Sequence, residues 1–164
     1  MQRQRRVTSV ETAWGNLVLE TTAHGVCGVR FGPRRPDDAD WDDEGNVVAG
    51  LAAVELREYL EGKRRVFTVP VDISHTPAFH QKVYRALLTV PFGCTVSYGD
   101  LAAAAGSPSA ARAVGTAMAH NRIFILVPCH RVIAAGGRMG GWSGPEGLKE
   151  RLHLHEGIRL VKRS

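Results

Sequence analysis

Pro128-Cys129-His130-Arg131-Val132 is the segment of this 164-residue chain best suited to covalent chemistry. A cysteine reacts as its thiolate, and a free thiol with a pKa of ~8.5 is mostly protonated at neutral pH, so a reactive cysteine needs a base within reach. The histidine beside it is such a base. The wholly apolar run 123–127 predicts a buried strand that delivers Cys129 at its end. Neighbouring side chains on an extended segment point to opposite faces, so the imidazole would reach the sulfur through a bridging water. Cys27 and Cys94 read as small apolar packing residues. Three cysteines cannot all pair, and none forms a Cys-x-x-Cys, so reduced thiols in a reducing compartment are expected.

Two further segments have chemical potential. Residues 110–120 predict a helix whose exposed positions are mostly small, with Arg112 projecting among alanines. Such a helix lacks the amide and carboxylate side chains that read major-groove base edges, but its backbone can approach a narrow surface such as a minor groove. A tightly packed internal helix would have the same composition. Glycines 136, 137, 140, 141 and 144 surround Arg138 and Trp142, and a loop of this kind can come close to a planar ligand or serve as a plain connector. Cys27 with His24 is too sparse a donor set for zinc, and no phosphate-cradling motif is present, so neither metal nor cofactor is implied.

The elements that must position these residues are legible in outline. Residues 7–11, 16–22 and 26–31 alternate in the manner of a three-strand meander with short turns between. Residues 32–45, with two prolines and an acidic run over 37–44, predict an exposed, mobile loop. Val48, Leu51, Val54, Leu56 and Leu60 have roughly helical spacing within 47–61, and Gly62 follows as a stop. Residues 66–71 alternate around Pro70 and suit an edge strand. Thr76-Pro77 predicts an N-cap and first helical position for a helix running to about Val90, and the domain boundary is placed just before it, giving domains 1–75 and 76–164. Ser97 caps a short helix over 98–105; residues 106–109 interrupt it before the Arg112 helix, so the pair reads as a helix-turn-helix.

Charge is unevenly spread. The formal net charge is +5, with −2 over residues 1–44 and +7 over 45–164, and a basic surplus favours a polyanionic partner. No apolar run approaches the ~20 residues of a membrane helix, and the polar stretch after the basic N-terminus does not resemble a secretory signal, so a cytoplasmic protein is expected.

Pro128-Cys-His-Arg-Val132 resembles the active-site signature of the O6-alkylguanine-DNA alkyltransferases, also called methylated-DNA–protein-cysteine methyltransferases. The resemblance extends to Val96-Ser-Tyr-Gly-Asp-Leu101, to Ala110-Ala-Arg-Ala-Val-Gly115, to Asn121 and to His155-Glu156-Gly157, with no insertion or deletion needed from about Pro77 to Ile158. Residues before that are similar only in their strand-rich pattern. The resemblance implies an α+β fold: an N-terminal ribonuclease H-like antiparallel sheet with a helix, then a mostly helical domain with a helix-turn-helix. It implies direct reversal of DNA damage, in which the alkyl group of O6-alkylguanine, and of O4-alkylthymine, moves irreversibly to Cys129 after the base is flipped from the duplex. Glu156 would orient His130, which would draw the thiol proton, and Asn121 would hold the adjoining segment. Tyr98 and the backbone N–H of Ser143 would donate to the base, with Trp142, Gly144 and Val132 lining its pocket. Arg112 would fill the vacated space, and Ala110, Ala111, Ala113, Gly115, Thr116 and Arg131 would lie on the DNA. Many members carry tyrosine where Trp142 stands. The partner implied is double-stranded DNA bearing alkylated guanine, bound by a monomer that could assemble cooperatively along it; no cofactor, metal or membrane is implied.

Three other readings share parts of the pattern. A non-reacting damage sensor would lack Cys129, a DNA-binding redox regulator would need polar residues on the Arg112 helix, and a cysteine hydrolase would turn over repeatedly.

Overall fold

The computed structural model describes residues 4–40, 46–140 and 144–160, and the chain is α+β. Its internal contacts divide it into two units, residues 1–73 with 122–126, and residues 74–121 with 127–164.

In the first unit, β1 (Arg6–Thr12), β2 (Gly15–Thr22) and β3 (Gly25–Phe31) pair antiparallel in the spatial order β3-β2-β1. Val10 faces Leu17, and Leu19 faces Val29 across the pairs. All four are buried, as cross-strand apolar pairs on an inward face should be. A two-residue β4 (Ala39–Asp40) adds to the free edge of β1 in parallel. The acidic segment is therefore not wholly a loose loop, because Asp38 is buried and its carboxylate accepts the Arg35 N–H at 2.8 Å, turning the chain onto the sheet. Residues 41–44 of that segment lie outside the described residues.

Helix α1 (Val47–Leu60) packs on this sheet. Asn46 caps it by accepting the Ala49 N–H and donating to Thr21 Oγ1. The buried face matches the aliphatic spacing only at Leu56 and Leu60. Leu51 and Val54 are exposed, and Ala49, Ala52, Ala53, Leu56 and Tyr59 face the sheet, because small alanines let the helix lie close.

The expected edge strand over 66–71 does not form; only Val71 makes a bridge, parallel to Val26. Pro70 has no N–H to give a ladder. The N–H groups of Thr68 and Val69 go instead to the buried carboxylate of Glu55, which also accepts the Thr68 hydroxyl. A side chain on α1 thus replaces a strand partner.

The second expected strand, 123–127, is also corrected. Ile123 bridges to Val29, and the chain then turns tightly, with Leu126 N–H bonded to the Phe124 carbonyl and Cys129 N–H to that of Val127, each at 2.8 Å. Ile125 has φ 71°, the one non-glycine residue with positive φ among the described residues. Two successive tight turns cannot continue a ladder, so Cys129 emerges from a folded-back segment rather than a strand end.

The second unit holds α2 (Ala78–Leu87), β5 (Val96–Ser97), α3 (Tyr98–Ala104), α4 (Ala111–Ala119), a 3-10 turn (Cys129–Arg131), β6 (Val132–Ile133) and α5 (Leu148–Glu156). Helix α2 ends earlier than expected and is entered from Pro77 without a side-chain cap; the Gln81 amide bonds back to the Thr76 carbonyl. Ser97 caps α3 by accepting the Asp100 N–H at 3.0 Å. Gly106, with φ 87°, ends it in a left-handed turn in which Ser107 N–H returns to the Ala102 carbonyl. Strands β5 and β6 pair in parallel, Val96 with Val132 and Ser97 with Ile133. That pairing sets the start of α3 beside the segment that follows Cys129.

Candidate active site

Cys129 opens the 3-10 turn and is only 3% exposed. Asn121, itself buried, donates to the Val127 carbonyl at 3.0 Å and to the cysteine sulfur. Burial pushes the thiol up to about 11, and the Asn121 amide and the Lys149 ammonium act in the opposite direction. The resting sulfur is therefore a protonated thiol at neutral pH and needs a base to become a nucleophile. Two phenols share its surroundings. Burial first, and proximity to Cys129 second, raise Tyr98 above the ordinary tyrosine range and push Tyr84 up to about 12, so both remain O–H donors. Tyr84 spends its hydroxyl on the Ala117 carbonyl at 2.6 Å.

His130 is fully buried in the same turn. Its Nε2 lies 2.9 Å from Oε1 of Glu156. Arg131 donates to both oxygens of that carboxylate, from Nε at 3.2 and 3.0 Å and from Nη2 at 2.7 Å, and Gly93 N–H adds a bond at 3.3 Å. Burial works against charge on Glu156, but the hydrogen bonds and charges of His130 and Arg131 outweigh it and hold the carboxyl well below the usual range. An anionic acceptor fixes the proton of His130 on Nε2. Nδ1 is then the lone-pair nitrogen, and it is buried with no hydrogen-bond partner. Burial lowers the imidazole's pKa more than Glu156 raises it, so the ring is neutral and free to accept a proton. The arrangement can take a proton from a thiol and neutralise the resulting imidazolium with a carboxylate already in place.

A family model described as "6-O-methylguanine DNA methyltransferase, DNA binding domain" matches residues 78–158. The chain is 44% identical over 117 residues to the methylated-DNA–protein-cysteine methyltransferase of Mycobacterium tuberculosis, covering 71% of this chain and 70% of that protein. It is 43% identical to the human protein of the same name, covering 94% and 82%. The chain belongs to the methylated-DNA–protein-cysteine methyltransferase family. Among solved structures, that of Mycobacterium tuberculosis OGT in complex with DNA superposes with a TM-score of 0.77 at 36% identity, covering 92% of each chain. As a member of the methylated-DNA–protein-cysteine methyltransferases, the chain is a DNA-repair enzyme that moves a methyl group from methylated DNA to a protein cysteine.

The remaining expected residues of this methyltransferase fall into separate groups. Tyr98 is half-buried, and Gly140, with φ 73°, lies so close that a Cβ there would meet the Tyr98 ring at 3.2 Å, a tight contact at a backbone conformation that favours glycine. Arg112, Ala113 and Thr116 are exposed on α4, Ala110, Ala111 and Gly115 are half-buried, and Val114 and Ala117 turn inward. Gly144 is half-buried, and Trp142 and Ser143 lie outside the described residues. Arg131, expected on the DNA, is corrected: it is buried, and beyond Glu156 it gives Nη1 to the Val90 carbonyl at 2.8 Å, leaving it inside the domain as the carboxylate's partner. Val132, expected against the substrate, is closed to solvent, and its carbonyl is taken by Lys149 at 3.0 Å. Cys94, expected as packing, is exposed.

Sequence reading missed Lys149 and His153. Both are buried on α5; Lys149 donates to the carbonyls of Val132 and Met139, and His153 lies 2.5 Å from that of His130 through Nε2. Polar residues in a Lys- and His-rich helix read as a solvated face, and only their spacing from Glu156 by seven and three residues could have placed them on its side. Among the described residues no group of three or more His, Cys, Asp or Glu could hold a metal ion, and no helix is long and apolar enough to cross a membrane.

Replacing Glu156 with Gln leaves Arg131 buried without its counter-charge, and the domain should lose about 3 kcal/mol, read from urea unfolding near neutral pH. Because the folded carboxyl titrates below its unfolded value, the difference from wild type should hold above about pH 4 and shrink on further acidification. Equal urea midpoints would contradict the assignment.

Proposed function

We propose that the chain repairs DNA by direct reversal, taking the alkyl group of O6-alkylguanine, and of O4-alkylthymine, onto the sulfur of Cys129 in a single irreversible event. The observation that carries this reading is the unpartnered Nδ1 of His130, opposite an Nε2 held by Glu156, in the same turn as the cysteine. With substrate bound, the Cys129 proton passes through a water to Nδ1, and the imidazolium is neutralised by Glu156. The thiolate, faced by the Asn121 amide and the Lys149 ammonium, attacks the alkyl carbon in line. The carbon–oxygen bond breaks with its electron pair going to the base, a carbon–sulfur bond forms, and Tyr98 and the N–H of Ser143 meet the charge that develops on guanine. A thioether has no good leaving group, so the protein is consumed.

A purine inside a duplex cannot reach a sulfur this deeply buried, so the nucleotide must be rotated out of the stack, at an unstacking cost that a damaged pair keeps low. In this reading α3 and α4 act as a helix-turn-helix laid in the minor groove, the small residues Ala110, Ala111, Ala113, Gly115 and Thr116 allow close approach, and Arg112 fills the space the base leaves. The exposure of Arg112 supports that role. The Mycobacterium tuberculosis relative was solved with DNA, which supports duplex DNA as partner. Trp142 and Gly144 would form the pocket wall, the first unit would be a ribonuclease H-like sheet with its helix, and the boundary would fall near residues 75 and 76. The protein would act as a monomer in a reducing compartment such as the cytoplasm, where Cys129 stays a thiol.

Intact-mass spectrometry after mixing with a duplex that contains O6-methylguanine should show one added methyl group, mapped to Cys129 and lost in the Cys129→Ala variant. Repeated turnover, or label on Cys27 or Cys94, would refute the mechanism. Replacement of Arg112 by Ala should slow repair of duplex DNA by about tenfold or more while leaving reaction with a free O6-alkylguanine base within about twofold. Equal losses on both substrates would remove Arg112 from the flipping step.

A further inference from the structure

Helix α5 presents three buried polar side chains at spacings of four and three residues, Lys149, His153 and Glu156, and such spacing places them along one side of the helix. Each takes a different part of the acceptor segment. Glu156 holds the His130 ring and Arg131, Lys149 holds the Val132 carbonyl, and His153 reaches the His130 carbonyl at 2.5 Å through Nε2. A carbonyl can only accept, so the proton of His153 is on Nε2.

The 3-10 turn of Cys129–Arg131 is closed by two bonds of its own, Arg131 N–H to the Pro128 carbonyl and Val132 N–H to the Cys129 carbonyl, while Cys129 N–H is used in the preceding tight turn. Neither bond engages the His130 carbonyl. A single turn of this geometry takes its orientation from what packs and bonds against it. The bond between Glu156 and His130 fixes where the imidazole points, whereas the peptide that joins Cys129 to Arg131 is held through the His130 carbonyl by His153.

His153 is costly at this place. Its Nδ1 is buried with no partner, and an aliphatic side chain of similar size would fill the volume without an unsatisfied nitrogen. Its ring also acts against a charge on its neighbour, adding to the burial that keeps His130 neutral, with Glu156 opposing and Arg131 assisting. A residue that serves packing alone would be replaceable by leucine with a gain in stability.

We propose that His153 is a positioning residue for methyl transfer: by donating to the His130 carbonyl it fixes the backbone that carries both the acceptor sulfur and its base. The inference rests on the assignment of Cys129 and His130 made above. It concerns the rate of the chemical step and leaves DNA binding untouched.

The test compares wild type with His153→Leu and His153→Gln in the full chain, following single-turnover transfer from an O6-methylguanine duplex by quenched intact-mass measurement and duplex affinity by fluorescence anisotropy. Glutamine carries an N–H donor at nearly the reach of Nε2. The Leu variant should transfer about tenfold more slowly with unchanged duplex affinity, and the Gln variant should recover to within about threefold of wild type. A folded Leu variant that transfers at the wild-type rate, or a Gln variant as slow as Leu, overturns the role. Should the Leu variant unfold, His153→Asn replaces it, since its shorter amide stops short of the carbonyl; Asn slow and Gln fast supports the role, and equal rates overturn it. A wild-type chain that takes up no methyl group would overturn the acceptor assignment itself, a result separate from any difference among the variants.

Discussion

The carboxylate of Glu156 organises the site. It is buried and takes hydrogen bonds from an imidazole, a guanidinium and a backbone N–H, and the guanidinium keeps it anionic without any need for a charged histidine. An anion in that place decides which nitrogen of His130 holds the proton, and so leaves the lone pair on the other, the nitrogen proposed as the base. Removing either charged partner would leave the other unpaired in a low-dielectric interior, which is why Arg131 belongs to the site although it faces neither solvent nor substrate.

Around that carboxylate, the elements of the second unit converge on three consecutive residues. The segment between α2 and β5 supplies the Val90 carbonyl and Gly93 N–H, β5 pairs with β6 to seat Val132, and α5 reaches His130, Arg131 and Val132 with three side chains. The sulfur is thereby held deep, and burial makes it a thiol. A buried protonated nucleophile beside a neutral base is inert until a substrate arrives whose reaction consumes the charge. That condition suits the single-use acceptor proposed for Cys129, which must not be lost to other electrophiles.

Much of this was legible in the sequence. The meander, the Ser97 cap, the short helices flanking Gly106 and the acceptor motif are local patterns whose cause lies within a few residues. The failures are non-local. Residues 66–71 alternate like a strand, but Glu55, more than ten positions earlier, takes their N–H groups. Residues 123–127 are apolar like a buried strand, but apolarity reports burial and not extension, and Pro128 ends any ladder. Leu51 and Val54 looked like core because hydrophobicity does not reveal that alanine is the better fit for a close helix-sheet contact. Lys149, His153 and Arg131 were misread or missed because a charged residue is normally solvated, and the carbonyls and carboxylate that bury these three are brought to them only by the fold.

The most direct test of the central claim is the protonation state of His130 in the folded, unreacted protein, read from the nitrogen resonances of its imidazole in histidine-labelled material at neutral pH. The ring should be neutral, with the proton on Nε2 and Nδ1 bare. A proton on Nδ1, whether in the other tautomer or in an imidazolium, would contradict the account, because the nitrogen assigned as the base would already be occupied.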